Sequence, residues 1–233
     1  MDAYQGITRS FWEITKKDPI ITSKEGNFTS HNDGWGYVHY NNSTLEFFRS
    51  KIPVFDSAIP TFSSGNLIIH ARKAAPGEPV GILASHPHNE TNEEYDVFLA
   101  HNGWFDKQAI GKEMGIHNVE SYVDSQMFLK YIMSFEGEFQ NRLKRALYQA
   151  EENNFIKTSA NLFILCIDRI SGNSNIYYYT DVADGLEYSN YVKLYHAQTD
   201  KWKGVFSSSI IVPNSFPKNV QLSEVRKGVL NIL

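Results

Sequence analysis

The segment Val97-Phe98-Leu99-Ala100-His101-Asn102-Gly103 constrains this chain more than any other. A short apolar run closed by turn residues reads as a buried strand, and residues 67–71 and 162–167 have the same character. Where residues 97–101 give way to Asn102-Gly103, a strand that stops leaves a side-chain amide and an unhindered backbone N–H at its end. Two such donors aimed at one point suit a developing oxyanion. Asn-Gly is also the strongest short signal for a hairpin. Trp104-Phe105, however, leads into helix-like sequence rather than a second alternating strand, so the chain is expected to leave the sheet there.

Around this segment the periodicities alternate irregularly. Residues 7–17 read as an amphipathic helix with Ile7, Phe11, Ile14 and Trp12 on one side, ending before Asp18-Pro19. A polar loop over 23–32 precedes a hairpin, formed by residues 33–40, a turn at Asn41-Asn42, and residues 44–49. Helices are expected over 107–114, from 123 or 124 to 136 with Met127, Phe128, Tyr131 and Ile132 inward, and over 138–153 with Phe139, Leu143, Ala146, Leu147 and Ala150 inward. Four β-rich segments follow, at 160–170, 174–180, 191–196 and 204–212, then a short helix near 223–233. Strands flanking a helical middle, without regular strand–helix alternation, favour α+β layers over a doubly wound parallel sheet.

Composition narrows the function classes. With 233 residues, 42% hydrophobic, the chain can bury a substantial core, and one domain over 1–233 is expected. A net charge of −4 with no basic stripe argues against a nucleic-acid or membrane-surface partner. No run is long and apolar enough to span a bilayer, and no leader pattern opens the chain, so a cytoplasmic protein is expected. A single cysteine excludes an internal disulfide framework and agrees with a reducing compartment. The sequons at Asn27, Asn41, Asn42 and Asn89 are then chance matches in polar loops.

Arg72, at the end of a strand and before Lys73-Ala74-Ala75-Pro76-Gly77, offers a planar fork for a carboxylate, although a surface ion pair is the commoner fate of an arginine. Asp124 opens a helix and reads as an N-cap, which leaves a second carboxylate oxygen for a ligand ammonium. His86, His88, His101 and Asp124 are metal-capable, but their spacing matches no zinc motif, and packing beneath the site is the plainer reading. In Asp33-Gly34-Trp35-Gly36 the glycines either let another segment pass closely or mark a bulge. Asp168 reads as a strand end and Tyr177-Tyr178-Tyr179 as an alternating strand surface. Cys166 lies in an apolar strand, where a thiol is a small hydrophobe and a poor nucleophile.

Taken together, these residues resemble the class II glutamine amidotransferase domain, an N-terminal-nucleophile hydrolase fold in which two stacked antiparallel sheets are flanked by helices in a four-layer αββα sandwich. His70-Ala71-Arg72 is similar to the family's His-x-Arg, Ser85-His86-Pro87-His88 to its Asn-x-His-Pro, and Val123-Asp124-Ser125-Gln126 to its Asp-Thr/Ser-Glu/Gln helix start. His101-Asn102-Gly103 matches the family's His-Asn-Gly outright, and Asp33-Gly34-Trp35-Gly36 resembles the Asp-Gly-x-Gly of compact members. The resemblance implies that Arg72 holds the α-carboxylate of glutamine or another γ-glutamyl amide and Asp124 its α-ammonium. It further implies that Asn102 and the Gly103 N–H stabilise the oxyanion, with His86 and Trp104 also at the substrate. No cofactor and no metal is implied; a synthase subunit that takes up the ammonia is an implied partner.

Members of that family begin with a cysteine after the initiator methionine, whose thiolate attacks the amide while its own α-amino group acts as base. Here Met1 is followed by Asp2 and then by a helix pattern. Two expectations follow from the comparison. One is an enzyme whose first strand and N-terminal cysteine are not in this chain; the other is a catalytically inactive γ-glutamyl-binding or regulatory protein. A metallohydrolase built on His86, His88, His101 and Asp124 is a distant third.

Overall fold

The computed structural model describes residues 3–21, 30–75 and 77–233. In chain order its elements are α1 (Ala3–Lys16), β1 (Trp35–Asn41), β2 (Thr44–Ser50), β3 (Asn66–Ala71), β4 (His88–Thr91), β5 (Tyr95–Phe105), α2 (Lys107–Glu113), α3 (Asp124–Met133) and α4 (Phe139–Glu152). There follow β6 (Ile156–Asp168), β7 (Ser174–Tyr179), β8 (Leu194–Gln198), β9 (Lys203–Ser207), α5 (Ser208–Ile211), β10 (Gln221–Glu224) and β11 (Asn231–Ile232). Among the described residues every strand pairing is antiparallel, so the α+β class with antiparallel sheets holds. Residues 22–29, which include most of the expected 23–32 loop and the Asn27 sequon, lie outside the described residues, as does Pro76. Among the described residues no helix is long and apolar enough to cross a membrane.

The chain divides into two compact units, one drawn from Met1–His86 and Tyr188–Arg226, the other from Pro87–Glu187 and Lys227–Ile232. In the first, β2-β1-β3 and β10-β8-β9 form three-stranded sheets. The β1–β2 hairpin closes through Asn42 and Ser43 at φ 47° and 67°, one residue later than expected. Two left-handed residues give the turn the twist that flanking strands require. Trp35 and Tyr37 alternate onto one face of β1 and pack with Phe11 of α1 and with Val54. Two residues after α1, the carboxylate of Asp18 accepts the Ile20 and Ile21 N–H groups and the Ser209 hydroxyl, and His31 lies 2.9 Å from its second oxygen.

The second unit carries the five-stranded sheet β11-β7-β6-β5-β4. Val97 and Leu99 of β5, Leu162, Ile164 and Cys166 of β6, and Tyr177 and Tyr179 of β7 share one core with Met127, Phe128 and Ile132 of α3 and Leu143 and Ala146 of α4. The inward residues expected for both helices are all buried. Phe98, Ala100 and Leu165, on alternate positions, are buried as well, which explains why these strands read as continuous apolar runs. All three of Tyr177, Tyr178 and Tyr179 are buried, so this is not a strand with one wet face, and the Tyr179 hydroxyl is held by Glu151 and Asp181. Asp168 ends β6 as expected, accepting the Ile170 and Ser171 N–H groups.

Two terminal expectations are corrected. Of residues 204–212, only the first part is strand, and Ser208–Ile211 turns helical. No helix forms near 223–233: Gln221–Glu224 pairs with β8 and Asn231–Ile232 with β7. Valines at 225 and 229 fit either period, and strand edges in need of a partner decide the outcome.

Candidate functional site

β5 does not stop at Asn102-Gly103. Asn102 pairs with Asn161 and Gly103 with Ala160, after which the register slips and Phe105 pairs with Ile156. Over this step β5 advances two residues and β6 four, so the bulge lies on β6 around Ser159. The strand therefore carries Trp104 and Phe105 as well, contrary to the expectation from sequence, because the bulge absorbs the kink that Asn-Gly would otherwise spend on leaving the sheet. Gly103 stands at φ +148°, and a Cβ on it would lie 1.6 Å from the Ser159 carbonyl oxygen. Only glycine fits that close approach. The Ser159 hydroxyl donates to the Asn102 carbonyl at 3.2 Å, tying the bulge to the strand from the other side.

Strand alternation puts His101 on the same side of β5 as Val97 and Leu99, toward α3. Its ring is 3% exposed, with Nε2 3.2 Å from the Ser159 carbonyl oxygen and Nδ1 3.0 Å from the Ser125 hydroxyl. A carbonyl only accepts, so Nε2 carries the hydrogen. Burial pushes the His101 pKa down, and the opposing pull of the Asp124 charge and of the Ser159 carbonyl does not restore it, so the imidazole is neutral.

Asp124 is the first residue of α3 rather than its cap, and its side chain makes no capping bond to its own helix. Its Oδ2 instead accepts the Phe105 N–H at 2.9 Å, and its Oδ1 lies 3.2 Å from the Ser125 hydroxyl. The aspartate that does cap is Asp106, which accepts the Ala109 N–H of α2 at 2.9 Å. The signal for the difference is positional: Asp106 stands directly between a strand end and a helical pattern, whereas Asp124 is needed by the strand's own backbone.

Arg72 and His86 belong to the first unit; Asn102, Gly103, Trp104 and Asp124 belong to the second. Arg72 follows directly on β3, is 7% exposed, and is fixed through its backbone, its N–H donating to the Gly34 carbonyl and its carbonyl accepting the Asp33 N–H. Asp33 adds two bonds on the same loop, accepting the Ala74 N–H at 2.8 Å and pairing with Lys73 at 3.2 Å. It is the residue whose task was not visible in sequence: the aspartate of Asp-Gly-x-Gly staples the loop that carries the arginine. The glycines of that motif make room for a second segment. A Cβ at Gly36 would meet the His86 carbonyl at 2.5 Å, and one at Gly34 the Ser85 hydroxyl at 2.3 Å. His86 is buried, its ring edge-on to His70 at 4.4 Å. Trp104 is 53% exposed.

Cys166 is buried, and burial together with the nearby Asp168 charge pushes its thiol up to about 12. Such a group is neither deprotonated nor reachable at neutral pH. Among the described residues no three His, Cys, Asp or Glu side chains gather as a metal site.

The family model for class II glutamine amidotransferases matches residues 20–153, a span that holds Asp33, Arg72, His86, the His101-Asn102-Gly103 segment and Asp124. The chain belongs to the class II glutamine amidotransferases. Among solved structures, this amidotransferase chain is similar to one described as a predicted glutamine amidotransferase from Pseudomonas aeruginosa PA01, at 15% identity and a TM-score of 0.46, over 90% of this chain and 88% of that one. No curated protein matches the sequence.

Proposed function

We propose that this class II glutamine amidotransferase chain binds glutamine or a related γ-glutamyl amide and presents its side-chain amide for hydrolysis. Arg72 takes the α-carboxylate as a bidentate fork, Asp124 takes the α-ammonium, and Asn102 with the Gly103 N–H faces the oxyanion, while His86 and Trp104 complete the substrate contacts. A zwitterion fixed at both ends places its amide reproducibly, and that is what a preorganised oxyanion site requires. The observation that carries this reading is the bond between Asp124 Oδ2 and the Phe105 N–H, which ties the ammonium acceptor to the strand two residues beyond Gly103. Asp124 still has free lone-pair directions for a ligand.

In this reading the attacking thiolate belongs to an N-terminal cysteine outside these 233 residues, since the one cysteine present is buried in β6. Ammonia leaves from the tetrahedral intermediate and passes to a synthase subunit or to solvent, in the cytoplasm. The buried state of Cys166 equally supports a second reading, a γ-glutamyl-binding protein that does not turn its ligand over. The coding sequence upstream of Met1 separates the two. An in-frame Met-Cys within about ten to twenty residues, room for one more strand, supports the enzyme, and ammonia release by that longer protein completes the test. A stop codon there supports the binding protein.

A further inference from the structure

His101 has no role in the scheme above, yet its two nitrogens reach both parts of the second unit's machinery. We propose that His101 is a positioning residue that couples Asp124 to the Asn102-Gly103 segment through the single hydroxyl proton of Ser125. The inference rests on the ammonium and oxyanion roles given to those residues.

Ser125 is 2% exposed, and its Oγ lies 3.0 Å from His101 Nδ1 and 3.2 Å from Asp124 Oδ1. A hydroxyl has one proton to donate, and here it faces two acceptors: the carboxylate, and the lone pair of a neutral ring whose hydrogen is on Nε2. With Asp124 unoccupied, the charged carboxylate is the stronger acceptor and holds the proton's hydrogen bond. A ligand ammonium supplies Asp124 with donors of its own. The Ser125 hydroxyl then turns to Nδ1, without leaving its oxygen, and fixes the ring with Nε2–H on the Ser159 carbonyl.

That carbonyl is the atom against which Gly103 is packed, and the Ser159 hydroxyl also holds the Asn102 carbonyl. Capture of the ammonium therefore firms the backbone that presents the oxyanion donors. Among the described residues the charged group acting on the ring is Asp124, 3.8 Å from Nδ1; Ser125 from α3, Ser159 and Gly103 from the β6–β5 pair and the Phe105 ring at 4.7 Å also face it.

The test uses the full chain labelled with 15N-histidine, with ring-nitrogen NMR shifts recorded at pH 7 without and with saturating glutamine, alongside calorimetry. The expected result is a neutral ring with hydrogen on Nε2 throughout, and a ligand-dependent shift at Nδ1 as it gains a donor. Ser125→Ala should lose that shift and bind glutamine about ten-fold more weakly, and Ser125→Thr, which keeps the hydroxyl, should restore both. A ring hydrogen on Nδ1 overturns the proposal. So does a Ser125→Ala protein that binds like the parent, in which case the binding reading itself survives. If the parent shows no heat with glutamine, the binding reading fails and the coupling fails with it.

Discussion

The carboxylate of Asp124 accepts the backbone N–H of Phe105 at 2.9 Å, across nineteen positions of sequence. An aspartate at the start of a helix ordinarily satisfies that helix's own first turn. This one has been taken over by the end of a strand, immediately after a register shift, and the swap fixes where a carboxylate stands relative to Asn102 and Gly103. The N-cap position before Asp124 is held by Val123, whose side chain has no acceptor, so α3 starts without a side-chain cap.

Gly103 of that strand has no room for a side chain. Gly103→Ala places a methyl group against the Ser159 carbonyl at φ +148°, so either the bulge opens or β5 moves. The expected cost is about 2–4 kcal/mol of stability, measured as a shift of the urea midpoint. Gly77→Ala, also at positive φ but with nothing within 4 Å, serves as the control for backbone strain alone and should cost less.

Asp33→Ala removes the acceptor for the Ala74 N–H and the partner of Lys73 while leaving Arg72 in the sequence. Loss of the staple should cost about 1–2 kcal/mol and speed proteolytic cleavage in the loop after Arg72. Glutamine affinity should fall as the arginine is released. An affinity equal to that of the parent would show that the backbone bonds through Gly34 are sufficient to hold Arg72.

Asp18 gives the first unit an acid-sensitive element. Burial alone would raise its pKa, but hydrogen bonds from His31, the Ile20 N–H and Ser209, with the His31 charge, outweigh burial and hold it below the ordinary carboxylate value of 3.8. Its folded pKa is depressed, so the stabilisation it supplies is complete above that value and is lost as pH falls through the lower folded one. Acid unfolding followed by circular dichroism below pH 4 should therefore be less steep in Asp18→Asn, which should be less stable than the parent at pH 7.

Cys166 should behave as core. A thiol pushed up to about 12 and buried in β6 will not react with iodoacetamide at pH 8 in the native protein, and will react once urea unfolds it. Cys166→Ala should leave glutamine affinity unchanged; a loss of binding would assign this cysteine a role that its burial denies.

Much of the fold was legible because its signals are local. The inward faces of α3 and α4 follow from residues such as Met127, Phe128, Leu143 and Ala146 at helical spacing, and β6 from an unbroken apolar run. What sequence misplaced depends on partners distant in the chain. The continuation of β5 past Gly103 needs the bulge at Ser159, and the strands at 221–224 and 231–232 need the edges of β8 and β7. Candidate site residues could be named from short motifs, but the bonds that hold them could not. Asp124 looked like a cap until Phe105 claimed it, and nothing in Asp33-Gly34-Trp35-Gly36 says that its aspartate reaches Ala74.

The central claim is that Arg72 and Asp124 hold the two ends of a glutamine molecule. Calorimetric titration of glutamine into the parent chain, Arg72→Ala and Asp124→Asn tests it most directly. Asp124→Asn keeps an oxygen for the Phe105 N–H and removes only the charge, so the fold should persist while affinity falls about 10- to 100-fold, as loss of a charged hydrogen bond implies. Arg72→Ala should abolish measurable heat. Saturable binding by the parent with both losses supports the account, and affinities in the two variants equal to the parent's would contradict it.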